Sequence, residues 1–194
     1  MEKLTWQDAP GYFDFADIYD EAVAQAHHVD FSHFVEVGVM FGRSALYLAQ
    51  AIRASGKNII FDAVDRFNWK IDESLLDKFD EPLRTNVRGM SQLEIANHIR
   101  SRAGLERHVH FIQSSGQDAA RLYADASLDF VFIDAEHGYQ DTVELLRAYL
   151  PKMKPGSLLA GHDFDLPGVR RAVLDVLGDK VRTPGKSFVY EVTC

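Results

Sequence analysis

A short apolar run that stops at a turn, followed by apolar residues at helical spacing, recurs along this chain. Residues 34–37 end at Gly38, and over 44–52 the side chains of Ala45, Leu46, Leu48, Ala49 and Ile52 fall on one helical face. Further strand-like runs lie at 59–64, 108–112, 128–133 and 157–160. Helical patterns at 92–103, 116–123, 142–150 and 169–177 occupy the intervals. Such alternation predicts a parallel sheet joined by crossover helices, and near-continuous apolar strands predict burial on both sheet faces. The expected fold class is therefore α/β, a Rossmann-like doubly wound sheet with helices on both faces. The end of the chain departs from the pattern. Runs at 181–183 and 188–192 are joined by Pro184, Gly185, Lys186 and Ser187, a hairpin connection that predicts an antiparallel C-terminal edge.

With 194 residues, 46% of them hydrophobic, the chain is expected to form a single domain around one core. Within it, residues 1–30 are expected to be a helical cap, because Phe13, Asp17, Ile18, Glu21 and Ala22 make an amphipathic face. Residues 66–90 hold Phe67, Trp69, Phe79, Pro82 and several charges without a long apolar period, and read as an inserted lid. The net charge of −8 argues against nucleic acid as a partner, since that binding rests on clustered Lys and Arg. A small-molecule substrate is expected instead. The lone cysteine, Cys194, permits no internal disulfide and points to a reducing, cytoplasmic setting. The first eight residues carry acids and Trp6 rather than a basic stretch and an apolar run, and no apolar segment approaches the ~20 residues of a membrane span. Neither a leader nor a membrane partner is expected.

In open α/β sheets ligands bind beyond the carboxyl ends of the strands, so the turns there carry the functional reading. The first turn runs from Glu36 through Gly38 and Gly42 to Ser44. Gly38 permits a tight turn and close approach to the backbone, while Gly42 opens a helix whose N-terminal amides face the same space. The three-glycine dinucleotide fingerprint is absent, and Arg43 stands where a P-loop requires Lys. Asp65 ends the second strand, where an acid suits the two hydroxyls of a ribose or, equally, a helix cap.

Two further segments complete an ordered set: Phe132 to Tyr139 at the end of the fourth strand, and Leu158 to Asp163. With the first turn and Asp65, this set resembles the class I S-adenosylmethionine-dependent methyltransferases, and more closely the metal-assisted small-molecule O-methyltransferases, over roughly residues 30–194. The resemblance implies that Glu36, Gly38, Phe41, Gly42 and Ser44 surround the methionine end of S-adenosylmethionine. Asp65 and Arg66 would meet its ribose, Ser115 and Gln117 its adenine, and Asp134 would close the site. Ser115 also suits the N-cap of the helix that follows it.

Methyl transfer from a sulfonium is an in-line displacement that needs an oriented acceptor and a base. In the resembling family the acid matching Asp134 is a metal ligand, and a basic side chain three positions on is the general base, here His137. The metal-dependent relatives carry an Asp-Asn pair where this chain has Gly161, His162 and Asp163. Asp134, His162 and Asp163 are thus the expected ligands of Mg or another divalent cation, and His162 is also open as an alternative base or a structural donor. His27, His28, His33, His98, His108 and His110 lack metal-ligand spacing and are expected to be structural. Tyr139 and Trp69 suit either acceptor contact or packing.

The reading is therefore S-adenosylmethionine-dependent methyl transfer to a hydroxyl of a phenolic, sugar or polyketide-type small molecule. A nicotinamide-dependent oxidoreductase is the alternative enzyme class, disfavoured by the missing third glycine. A non-catalytic S-adenosylmethionine-binding module would not need Asp134, His137, His162 and Asp163. The N-terminal helix and the terminal hairpin are the surfaces offered for a homodimer.

Overall fold

The structure, a computed structural model, describes residues 3–27 and 30–193. The elements in chain order are α1 (Ala16–Gln25), β1 (Ser32–Val37), α2 (Arg43–Ser55), β2 (Ile59–Asp65), α3 (Glu73–Leu76), α4 (Leu83–Val87), α5 (Gln92–Ala103), β3 (His110–Gln113), α6 (Gly116–Ala119), β4 (Leu128–Ile133), α7 (Tyr139–Tyr149), β5 (Met153–Gly161), α8 (Pro167–Leu177) and β6 (Phe188–Glu191). One six-stranded sheet has the order β3-β2-β1-β4-β5-β6. All pairs are parallel except β5 with β6, which is antiparallel. This is the Rossmann-like sheet with an antiparallel edge that the sequence predicts.

Period-two alternation divides each central strand between two cores. Phe34, Phe61, Phe130, Phe132 and Leu158 point to one face, where α1, α2 and α5 cover them. Val35, Val37, Val64, Val131, Ile133 and Leu159 point to the other, against α7 and α8. Because both sets are apolar, the strands are buried on both sides, which is why their sequence shows runs rather than alternation. Near the amino ends of the strands, buried Asp62 is held by His33 Nε2 at 2.8 Å, His110 Nδ1 at 3.3 Å and the Tyr123 hydroxyl at 3.2 Å. His33 and His110 thus hold a buried carboxylate away from the carboxyl ends of the strands.

Two predicted elements are shorter in the structure. Among the described residues of the predicted cap at 1–30, only Ala16–Gln25 is α-helical, with a 3-10 turn at Trp6–Asp8. Pro10, which has no N–H, and Gly11 at φ 153° keep the chain extended ahead of α1. His27 follows the end of α1, whereas His28 and Cys194 lie outside the described residues. The run at 181–183 forms only one antiparallel bridge, Arg182 with Val189, rather than a strand. Pro184 cannot donate to a ladder, and its carbonyl closes a turn by accepting from Ser187 N at 2.9 Å. Residues 66–90 carry the short helices α3 and α4, whose Leu75, Leu76, Leu83 and Val87, with Phe79 between them, enter the core beside α2 and α5. Among the described residues no helix is long and apolar enough to cross a membrane.

Candidate active site

The strand order reverses between β1 and β4, and at their carboxyl ends the structure opens a cleft of about 560 Å³. That volume lies within the roughly 300–1,000 Å³ of small-molecule sites, at the place where open α/β sheets bind ligands. The turn after β1 is built by its glycines. Gly38 has φ 95°, and a Cβ there would lie 1.9 Å from the Asp134 carbonyl oxygen, so no other residue fits. Its N–H donates to Val64 O at 2.9 Å, while Asp134 N donates to Val37 O at 2.7 Å, stapling the turn between both neighbouring strands. Gly42, at φ 91°, opens α2 against the Phe111 ring.

Asp65 locks the same turn from β2. Its Oδ2 accepts from Val39 N and Met40 N, both at 2.9 Å, and its Oδ1 accepts from Phe67 N at 2.7 Å. A carboxylate has about four acceptor sites, so one remains for a ligand hydroxyl in the cleft that Asp65 lines. Met40 and Phe67, two of its three donors, are non-glycine residues at φ 54° and 47°. Left-handed backbone of this kind concentrates at ligand sites.

Glu36 lies beneath the cleft. It is in phase with Phe34, so it points into the face covered by α1 and α2 and is fully buried. Ser44, which lines the cleft, donates its hydroxyl to Glu36 Oε1 in a short hydrogen bond. Glu36 Oε2 and the nearby Tyr19 hydroxyl have no hydrogen-bond partner. Burial pushes the Glu36 carboxyl from 4.5 up to about 8, opposed by the Ser44 hydrogen bond and assisted by the charge of Asp134.

A second group of side chains gathers at the ends of β4 and β5. His162 N donates to Ile133 O at 3.1 Å, which brings the end of β5 against that of β4. His162 Nδ1 then lies 3.2 Å from Asp163 Oδ1 and 3.8 Å from Asp134 Oδ1. One ligand atom from each of Asp134, His162 and Asp163 falls within 4.8 Å of the others. The exposed His137 places Nε2 2.8 Å from Asp163 Oδ2. Burial raises the Asp134 carboxyl to about 6, with the His162 charge opposing and the Asp163 charge adding to the rise.

The cleft thus brings together Gly38, Ser44, Asp65, Arg66 and Gln117 with Asp134, His137, His162 and Asp163. Arg66 sits 3.1 Å from Glu136. Four expected cofactor contacts do not line the cleft: Glu36, which lies beneath it, and Phe41, Gly42 and Ser115. Phe41 is fully buried, edge-on to Phe79 in the core, because the turn directs it under the sheet rather than into the cleft. Gly42 caps α2 without lining the cleft. Ser115 is engaged as the N-cap of α6, accepting from Asp118 N at 3.1 Å, and Ser114 faces the cleft in its place. Tyr139 bonds Asp175 at 2.9 Å under the guanidinium of Arg171, so it staples α7 to α8. Trp69, half-exposed, stands at the cleft rim.

Sequence reasoning misses Tyr12, Asp14 and Lys186. Tyr12 and Lys186 line the cleft, and Asp14 Oδ1 lies 3.0 Å from His162 Nε2. No local pattern signals them, since Asp14 meets His162 across 148 positions.

Over residues 35–164 the sequence matches the family described as a methyltransferase domain. No curated protein matches it. Among solved structures, it resembles a protein from Corynebacterium glutamicum with a TM-score of 0.65 at 16% identity, over 96% of this chain and 84% of that one. The O-methyltransferase NovP gives a TM-score of 0.65 at 16% identity, over 92% and 79% of the two chains. CalS11, a calicheamicin methyltransferase, gives 0.61 at 18% identity, over 91% and 76%. These likenesses are of fold.

Proposed function

This chain belongs to the methyltransferase domain family, of the class I S-adenosylmethionine-dependent kind, and from that premise we propose that it methylates a hydroxyl of a small molecule with the help of a divalent ion. The observation that carries the reading is the convergence of Asp134, His162 and Asp163 at the strand ends, beside the Gly38 turn in the same cleft. A pure cofactor-binding module has no use for that group.

The residues fit both S-adenosylmethionine and a divalent ion. The Gly38 turn, which lines the cleft, and the remaining acceptor capacity of Asp65 suit S-adenosylmethionine, with Ser44, Arg66 and Gln117 beside them. When bound, the cofactor would supply a sulfonium methyl group for in-line transfer to the acceptor oxygen, with the neutral thioether as the leaving group. Two carboxylates and an imidazole suit a divalent ion, whose chemistry is to lower the pKa of an acceptor hydroxyl. His137 takes the acceptor proton: with its Nε2–H donated to Asp163, Nδ1 is left as the proton acceptor at the exposed edge of the cleft. Asp163 orients that imidazole. Tyr12 and Trp69, both more than half exposed, offer aromatic faces to the acceptor, and residues 66–69 form the rim of the lid. Phenolic, sugar and polyketide-type hydroxyls all suit such a site.

The test is calorimetric titration of S-adenosylmethionine and of NAD into the protein, with Mg and with chelator. S-adenosylmethionine is expected to bind and NAD is not. Asp65→Ala is expected to weaken the binding roughly ten- to hundredfold, the worth of a hydrogen bond to a charged group. Binding of NAD, or of neither, would overturn the reading.

A further inference from the structure

His162 is 4% exposed, and its ring is held on every side. Phe15 lies 5.1 Å away centroid to centroid and is itself stacked on Phe132 at 4.4 Å. The Tyr12 ring lies 5.7 Å from it on the cleft side. Its Nε2 is 3.0 Å from Asp14 Oδ1, and the other oxygen of Asp14 accepts from the Tyr12 hydroxyl at 2.9 Å. A carboxylate accepts only, so Nε2 carries the proton of that bond. In the neutral ring Nδ1 is then a lone pair, and it points at Asp163 Oδ1 and Asp134 Oδ1, 3.2 and 3.8 Å away. Three lone-pair atoms therefore converge around one point, and the buried member of the set is aimed there by a residue from the opposite end of the chain. A ligating histidine whose second nitrogen is given to a carboxylate is oriented and made more basic, and such outer partners typically tune affinity by 10- to 100-fold.

We propose that Asp14 is a positioning residue that turns His162 Nδ1 into a ligand, and that the site formed with Asp134 and Asp163 selects first-row transition ions such as Mn²⁺ or Co²⁺ over Mg²⁺. The inference rests on the metal-assisted reading above. Its chemistry follows from the donor set. Mg²⁺ favours oxygen donors and gives up its waters reluctantly, whereas an imidazole nitrogen raises affinity for the transition series. Asp163, at φ 57°, holds its carboxylate between His162 and His137. Oxygen-only ligation would leave the Asp14 to His162 contact without a role in the site.

The experiment is equilibrium binding of Co²⁺, followed by its visible absorption, and of Mn²⁺, followed by the loss of its free-ion magnetic resonance signal, each in competition with Mg²⁺. It is run on the wild-type chain, Asp14→Ala and Asp14→Asn, with S-adenosylmethionine affinity measured in parallel. Wild type is expected to prefer Co²⁺ and Mn²⁺ by at least about tenfold. Asp14→Ala is expected to weaken them roughly 10- to 100-fold while changing Mg²⁺ binding little, and Asp14→Asn, which keeps an acceptor oxygen, to restore most of the loss. Equal or tighter binding of Mg²⁺ to wild type overturns the selectivity, and this readout stands even if Asp14→Ala does not fold. Unchanged Co²⁺ affinity in Asp14→Ala overturns the positioning role. Binding of S-adenosylmethionine with no divalent ion overturns this inference and the metal assistance but spares the methyltransferase reading. Absence of S-adenosylmethionine binding is the separate failure of that reading.

Discussion

Glu36→Gln removes an ionisable group from the fully buried floor of the cleft while keeping its shape and the oxygen to which Ser44 donates. Burial raises the wild-type carboxyl from 4.5 to about 8. The folded protein therefore keeps a proton that the unfolded chain releases across that window. The stability this group contributes is fully present below about pH 4.5 and is lost as pH rises through about 8, because ionising it in place strands a charge with one hydrogen bond. A displacement of that size corresponds to a loss on the order of 5 kcal/mol. Every other ionisable group is common to both proteins, so the difference between them isolates Glu36. Urea unfolding between about pH 5 and pH 9 should show the wild type losing several kcal/mol more than Glu36→Gln. Parallel curves would refute the reasoning, since they would mean that Glu36 is already ionised and paired in the folded protein.

Gly38→Ala should cost at least ~3 kcal/mol, combining a disfavoured φ with a Cβ forced onto the Asp134 carbonyl oxygen. Its chemical-denaturation midpoint checks this, and a midpoint near that of wild type would show that the turn relaxes more freely than its contacts imply. His137→Ala should leave S-adenosylmethionine affinity unchanged and lower turnover by roughly 10²–10⁴, the usual contribution of a general base. Unaltered turnover would remove His137 from that role.

The sheet was legible in the sequence because local burial writes itself into local pattern. Strands buried on both faces must be apolar throughout, and the helices covering them must be apolar on one side only, so 128–133 coincides with β4 and 92–103 with α5. The cleft-lining acids were legible for a related reason: Asp65, Asp134 and Asp163 stand at or just after strand ends, and in a parallel sheet these ends share one edge. Directions within a turn were not. Phe41 and Ser115 sit in loops at the cleft, yet one turns into the core and the other caps α6, outcomes set by backbone torsions that residue type does not encode.

The amino-acid sequence by itself thus determined the α/β architecture, the glycine turn after β1 and the set of strand-end acids, because each follows from spacing within a few residues. Only the tertiary structure decided that Glu36 is sealed beneath the cleft and that the extended chain before α1 crosses to the end of β5. It also decided that Asp14, 148 positions from His162, sets which imidazole nitrogen faces the site. Those contacts depend on how distant elements dock, and no periodicity in the chain records the distance between side chains that docking alone brings together.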